Sequence, residues 1–227
     1  MYLLFLAIAP VFIILFYIYF RDKYEKEPIL LLVKALIFGM LTVIPAIIIE
    51  RFLGAFLPYL EFSSRIHAFY HAFVVAAFSE EMLKFLVFYL LIWKSKEYNE
   101  RFDGIVYAVF VSLGFAMIEN IKYVMAYGEN VAYLRAVLSV PGHALFGVSM
   151  GYYFSLSKFS LDRRRKQIFL IYAILFPIIL HGSYDFILMA NEPLGLLAFI
   201  PFMIYLWKTG FNRMHVLSEE SRFKTNI

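Results

Sequence analysis

Residues 76–93 read AAFSEEMLKFLVFYLLIW, an apolar stretch with Glu80, Glu81 and Lys84 near its middle. The stretch ends a hydrophobic run that starts near residue 67, and this run is long enough to cross a bilayer core, which takes about 20 mainly apolar residues. Inserting an Asp, Lys or Arg at the centre of a membrane helix costs about 2.5–3.5 kcal/mol. Charged residues at this depth therefore indicate a functional site or tight pairing.

The composition extends the membrane interpretation to the whole chain. Of its 227 residues, 63% are hydrophobic, 20% aromatic and 17% charged, which is more apolar than a typical soluble domain. We expect one integral membrane domain, residues 1–227, with the lipid bilayer as its surroundings. The absence of cysteine excludes disulfides, thiolate zinc sites and a cysteine nucleophile. The net charge of +4 predicts no nucleic-acid partner, because the basic residues lie in the loops between apolar segments.

Seven windows are long and apolar enough to span a membrane. They are roughly 2–20, 29–50, 67–93, 104–126, 131–155, 167–190 and 193–209. The first has no basic leading region and no obvious small-residue cleavage site, so it is expected to remain as a span. The predicted fold class is all-α, a polytopic transmembrane helix bundle of about seven spans.

Lysines and arginines in the loops predict the orientation of the spans. Residues 158–166 alone carry five, and the loops after the first and third spans and the C-terminal tail are also basic. The loops on the opposite side hold Arg51, Arg65 and Arg135, with none in the short turn near Asn191. We therefore expect the N-terminus outside and the C-terminus in the cytoplasm.

Polar residues also occur in the next three spans. Glu119 follows Phe115 by one helical turn in GFAMIENIKY, His143 lies in VPGHALFGVSMGYYF, and His181 and Asp185 are one turn apart in ILHGSYDFIL. An aspartate at this spacing can fix the tautomer and orientation of an imidazole.

Each motif also has a simpler structural explanation. Lys84 can form an internal ion pair with the two glutamates, Lys122 can pair with Glu119, and a lone histidine is often a packing residue. Depth along the spans favours one shared site. Counted from the predicted outer ends, Glu80, Glu119, His143 and His181 lie about 7–13 residues in, at 1.5 Å per residue. Four consecutive spans at compatible heights predict a polar pocket that opens outward.

The ordered set of motifs resembles the PrsW family of intramembrane proteases, which are relatives of the CAAX prenyl endopeptidases. It consists of Glu80-Glu81-x-x-Lys84, Phe115-x-x-x-Glu119, His143 and His181-x-x-x-Asp185, and the segment RDKYEKEP near the N-terminus is also similar. The CAAX group has histidine at the position of Glu119 and arginine at the end of the first motif, which makes a prenylated substrate a poorer expectation.

The resemblance implies a function in a bacterial cytoplasmic membrane. It implies the first, extracytoplasmic cut of a membrane-anchored anti-sigma factor, in regulated proteolysis that controls a stress response. By analogy with the CAAX group it also implies that one glutamate, with Glu80 preferred over Glu81, activates water, and that His143 and His181 polarise the carbonyl or stabilise the oxyanion. Lys84 would orient the glutamates, Glu119 would share the water or its proton, and Asp185 would orient His181.

Three alternatives stay open at the level of sequence. We expect no cofactor, but glutamates and histidines could also ligate zinc, although no H-E-x-x-H motif occurs. Intramembrane carboxylates and histidines could instead form the proton relay of a transporter, which usually shows paired repeats that this chain lacks. A non-catalytic membrane scaffold is the third alternative.

Overall fold

The computed structural model describes residues 1–59, 63–190 and 193–224. Within these ranges the chain forms α-helices, one short 3₁₀ turn and one π-helix, and no β-strand. The helices are α1 (Tyr2–Arg21), α2 (Ile29–Leu41), α3 (Val43–Gly54), α4 (Ser64–Tyr70), α5 (Ser79–Ile92), α6 (Arg101–Tyr127), α7 (Glu129–Val137), α8 (Ser139–Lys158), α9 (Arg163–Ala190) and α10 (Pro193–Glu219). The 3₁₀ turn is Leu57–Tyr59 and the π-helix is His71–Phe78. The prediction of an all-helical bundle is confirmed.

Two of the predicted spans are each divided into two helices. The second window holds α2 and α3, which meet at Thr42, and the fifth holds α7 and α8, which meet at Leu138. In both cases a proline, Pro45 or Pro141, is the third residue of the later helix. Proline lacks the N–H that continues a helix through it, but it is tolerated in a first turn. The breaks therefore lie just before the prolines, and α7 is a separate short helix.

The third predicted span is continuous but changes its helical type. It consists of α4, the π-helix and α5, in that order. π-helical turns are rare and occur frequently at functional sites. Here the π-helix ends immediately before Ser79, so it sets the directions in which the side chains of Glu80 and Glu81 point from α5.

Helix α6 is the centre of the bundle. It is buried along most of its length and packs against α1, α2, α5 and α8. A Cβ atom on Gly151 of α8 would overlap the backbone carbonyl of Gly104 in α6, and one on Gly147 would press on the backbone of Ala108. These two glycines therefore let α8 pack closely against α6.

The surface of the bundle is suited to lipid. Among the described residues, five helical stretches are long and apolar enough to cross a membrane: Tyr2–Arg21, Ile29–Gly54, Arg101–Tyr127, Glu129–Lys158 and Arg163–Ala190. The remaining two predicted windows are helical as well, in residues 64–92 and in α10. Large apolar side chains such as Ile13 and Leu90 are 68% and 72% exposed on the outside of the bundle. The chain is therefore a multi-pass membrane protein.

The basic loops gather at one end of the bundle. Lys158 at the end of α8 donates to the carbonyl of Trp93, and Ser221 after α10 donates to Glu100 before α6. Helix α7 and the end of α3 lie at the opposite end. The side of the membrane that each end faces stays a prediction from the charge pattern, and the predicted turn near Asn191 lies outside the described residues.

Candidate active site

One buried lysine holds both glutamates of the first motif. Lys84 Nζ donates to Glu80 at 2.9 Å and to Glu81 at 2.8 Å, and it lies 4.0 Å from the centroid of the Phe115 ring. Lys84 and Glu81 are fully buried, and Glu80 is 5% exposed. The three- and four-residue spacings bring both carboxylates to the same ammonium group. The internal ion pair considered as a simpler explanation is present, but it is connected to both histidines.

The histidine of α9 contacts the second glutamate. His181 Nδ1 lies 2.9 Å from Glu81 Oε1, and His181 Nε2 lies 3.3 Å from an oxygen of Asp185 one turn further on. The next residue, Gly182, permits this approach, because a Cβ atom there would overlap the ring of Phe73 in the π-helix. The imidazole is therefore fixed between carboxylates from two helices.

The histidine of α8 contacts the remaining two motifs. His143 Nδ1 lies 3.4 Å from Lys84 Nζ, and Nε2 lies 3.0 Å from Glu119 Oε2. An ammonium group can only donate, so we assign Nδ1 as the acceptor and Nε2–H as the donor to Glu119. The hydroxyl of Ser112 in α6 donates to the His143 backbone carbonyl at 2.7 Å. His143 is thus held through both its ring and its backbone.

The structure brings every predicted site residue into one network of contacts. Their order along the network is Asp185, His181, Glu81, Lys84, His143 and Glu119, with Glu80 attached at Lys84. The two histidine rings are 5.3 Å apart between centroids. The convergence predicted from depth along the spans is therefore present, while the catalytic role of each residue stays a prediction.

A cavity of about 540 Å³ gives access to this network. Its walls include Glu80, Glu119, His143, His181 and Asp185. Glu81 and Lys84 do not belong to the lining, so they lie behind the wall. The cavity lies toward the end of the bundle that carries α7, away from the basic loops. This volume has room for a short length of extended peptide together with water.

Sequence reasoning missed two charged residues of the cavity. Arg135 of α7 donates to Glu119 at 2.7 Å, and Glu50 of α3 also lines the cavity. In the sequence, Arg135 contributes only to the orientation argument, as one of the few basic residues on the predicted outer side. No helical periodicity links it to Glu119. Lys122, the partner considered for Glu119, is exposed and lies over the ring of Tyr123.

The residues at the centre also have the chemistry of a zinc site. One donor atom each from Glu80, Glu81, His143 and His181 lie within 4.8 Å of one another. Zinc binds imidazole nitrogen and carboxylate oxygen, and histidines that ligate metals usually donate their other nitrogen to a carboxylate. Glu119 and Asp185 contact the outer Nε2 atoms in that way. The donor set therefore fits zinc, although the Lys84 ammonium lies among the same donors.

Comparisons with known proteins give the family. The model of a family described as PrsW family intramembrane metalloprotease matches residues 27–207. The protease PrsW of Clostridioides difficile is 37% identical over 221 residues, which are 96% of this chain and 92% of that protein. The protease PrsW of Geobacillus kaustophilus is 40% identical over 92% of this chain and 88% of that protein.

The protease PrsW of Bacillus subtilis is 36% identical over 207 residues, which are 91% of each chain. No solved structure matches this chain. The family match and these relatives confirm the resemblance predicted from the ordered motifs. The protein is thus a multi-pass peptidase of the bacterial cell membrane, and the chain belongs to the PrsW family of intramembrane proteases.

Proposed function

We propose that the protein hydrolyses a peptide bond with a water molecule activated by Glu80. The observation that carries this assignment is the different placement of the two glutamates. Glu80 lines the cavity and is bound to Lys84 through one oxygen, so its other oxygen can accept a proton from water. Glu81 is sealed behind the wall between Lys84 and His181. Glu80 is the general base, and Glu81 positions the lysine and the histidine.

The reaction then uses the network as follows. Glu80 removes a proton from water, and the hydroxide oxygen bonds to the carbonyl carbon of the substrate. A histidine at the cavity wall, His143 or His181, stabilises the negative charge that develops on the carbonyl oxygen by sharing with it the Nε2–H that otherwise faces a carboxylate. The proton on Glu80 passes to the amide nitrogen as the C–N bond breaks, which leaves a carboxylic acid and an amine. Glu119 shares the water or its proton, and Asp185 holds His181 in place.

The proposed substrate is a single-span anti-sigma factor cut on its extracytoplasmic side. One prediction and one observation support it. The cavity lies at the end of the bundle predicted to face outward, and Glu80 in its wall is only 5% exposed, so a large folded domain cannot reach it. A membrane-anchored segment that unfolds locally at the membrane surface would fit. Cleavage would release the factor for further proteolysis in a stress response.

A second candidate is zinc-dependent hydrolysis in the same cavity. The donor set of Glu80, Glu81, His143 and His181 favours it, as does the description of the matching family as metalloproteases. These four residues would hold the ion, and the ion would activate a water molecule and polarise the carbonyl. In that case Lys84 would move aside or balance the carboxylate charge. Membership of a protease family favours either form of hydrolysis over proton-coupled transport or scaffolding.

One experiment separates the candidates. The purified protein in detergent is mixed with a single-span anti-sigma-type substrate, and cleavage is followed for the wild type, Glu80→Gln, Glu80→Ala, Glu81→Ala and the control Glu97→Gln. Glu97 is an exposed glutamate in the loop before α6. We expect both glutamate sites to be essential and the control to cleave normally. Undiminished cleavage by Glu80→Gln refutes Glu80 as the base, and undiminished cleavage by Glu81→Ala as well refutes any glutamate mechanism.

The role of metal is read from the same preparations. Cleavage that survives a strong chelator, with no zinc detected by elemental analysis, supports the glutamate mechanism without metal. Cleavage that is lost on chelation and restored by zinc supports the second candidate.

A further inference from the structure

Helix α7 covers part of the cavity and packs against α1, α6 and α8. It follows Gly128, whose φ of +85° belongs to the left-handed region that glycine adopts without strain. Ala132 packs against Ala7 of α1 and Val124 of α6. Leu134 and Arg135 are part of the cavity wall. The helix therefore places one charged side chain beside the network of site residues.

Arg135 binds two neighbouring residues of α6. Its Nη2 donates to Glu119 at 2.7 Å and its Nε donates to the side-chain oxygen of Asn120 at 2.8 Å. The guanidinium also lies over the ring of Tyr123, at 4.4 Å from the centroid. The amide of Asn120 donates to the backbone carbonyl of Ala7 at 2.7 Å, which turns the Asn120 oxygen toward Arg135. A planar guanidinium can make these bonds together, whereas a lysine ammonium is a single point charge.

The same oxygen of Glu119 meets two donors. Glu119 Oε2 receives the bond from Arg135 and the bond from His143 Nε2 at 3.0 Å. Arg135 is only 13% exposed and Glu119 18%, so water screens their attraction weakly. Together with the Lys84 ammonium at Nδ1, that oxygen holds the proton on Nε2 of His143 and sets how the ring faces the cavity.

We propose that Arg135 is a positioning residue for the hydrolytic site: it fixes Glu119, and through Glu119 it sets the tautomer and orientation of His143. This inference rests on the proposed function for its kinetic consequences, but its structural part can be measured without any cleavage. It also makes α7 a component of the site, although α7 carries none of the predicted catalytic motifs.

The kinetic test uses Arg135→Gln, Arg135→Lys, Glu119→Gln and the double variant Arg135→Gln/Glu119→Gln. Loss of a group that orients a functional histidine costs about 10–100-fold in activity. We therefore expect Arg135→Gln to lose that much kcat, with a KM within about 2-fold of the wild-type value. Arg135→Lys should recover part of the loss, because it keeps the charge beside Glu119. If Arg135 acts through Glu119, the double variant is no slower than Glu119→Gln alone.

The control is Arg51→Gln, which changes an exposed arginine at the same end of the bundle outside the cavity lining and should leave kcat unchanged. If the loss of kcat in the double variant equals the product of the losses in the two single variants, the proposal is overturned. A rise in KM without a loss of kcat also overturns it, since that would make Arg135 a substrate-binding residue.

The second measurement is independent of substrate. The chain has five histidines, so ¹⁵N-histidine labelling gives few signals, and His143→Asn identifies the one from His143. In the wild type we expect His143 to show the Nε2–H tautomer, and in Arg135→Gln a mixture of tautomers at an unchanged unfolding temperature. An unchanged His143 signal in a folded Arg135→Gln protein overturns the proposal. Failure of the hydrolysis proposal shows separately, as undiminished cleavage by Glu80→Gln.

Discussion

Replacement of Lys84 by methionine is the most direct test of how this site is held together. The ammonium group is fully buried and lies within 2.9 Å of both Glu80 and Glu81, which are themselves 5% and 0% exposed. Lys84→Met keeps the length and apolar stem of the side chain and removes only the charge. The two carboxylates then remain in an apolar interior without their shared cation.

The size of the effect follows from the burial of the pair. Breaking a buried ion pair by removing one partner costs about 3–5 kcal/mol, mainly because the other charge is left uncompensated. For chains of this length about 1 kcal/mol shifts the unfolding midpoint by roughly 2–4 °C, so the expected loss is roughly 6–20 °C. Replacing both glutamates and the lysine together, as Glu80→Gln/Glu81→Gln/Lys84→Met, should recover most of this loss, because no buried charge of the triad remains.

The assay is thermal unfolding of the purified protein in a mild detergent, followed by the amount of monodisperse protein that survives heating. Lys96→Met is the matched control, because Lys96 is an exposed lysine in the loop between α5 and α6. A surface change of that kind costs less than about 0.5 kcal/mol. The reasoning is refuted if Lys84→Met unfolds at the wild-type temperature, or if the triple variant is as unstable as Lys84→Met alone.

Three further predictions concern packing, pH and the second histidine. Gly151→Ala should lower the unfolding temperature strongly, because the added Cβ would overlap the backbone of α6. Gly54→Ala is the control and should not lower it, because the space around Gly54 is open. Both variants are measured in the same heating assay. Burial, and to a smaller extent the nearby Asp103 carboxylate, raise the pKa of Asp22 in the loop after α1 to about 7. The folded chain therefore binds the proton of the Asp22 carboxyl more tightly than the unfolded chain does. The stability that protonated Asp22 contributes is present below about pH 4 and is lost as the pH rises through about 7. Asp22→Asn should therefore raise the unfolding temperature more at pH 8 than at pH 4. An equal rise at both pH values contradicts this prediction. Asp185→Asn should reduce kcat about 10–100-fold with little change in stability, because the ring of His181 loses the carboxylate that orients it; unchanged kcat in the cleavage assay contradicts that role.

Much of the site could be found from the sequence because membrane insertion makes polar residues costly. In a soluble domain, Glu119 or His181 would be one polar residue among many. In an apolar span each is conspicuous, and regular helix geometry gives its depth to within about a turn. All seven predicted site residues are therefore among those that the structure joins by hydrogen bonds and ion pairs.

Arg135 could not be found in this way. It lies on a short helix that the sequence windows placed inside the fifth span, and its distance from Glu119 depends on how α7 turns after Gly128. Pro141 marks where α8 begins, but not the direction of the helix before it. A contact between two elements of different direction is set by packing, which no periodicity encodes.

The sequence by itself determined the membrane class, the helical fold and the residue types of the site, because the bilayer permits few ways to satisfy a polar backbone and penalises every charge. Only the tertiary structure decided which glutamate meets the cavity. Glu80 and Glu81 are adjacent in the chain and chemically identical, but they point about 100° apart around α5. The π-helix before them and the close approach of α9 at Gly182 turn Glu80 toward the cavity and Glu81 into the interior, where Lys84 and His181 bind it.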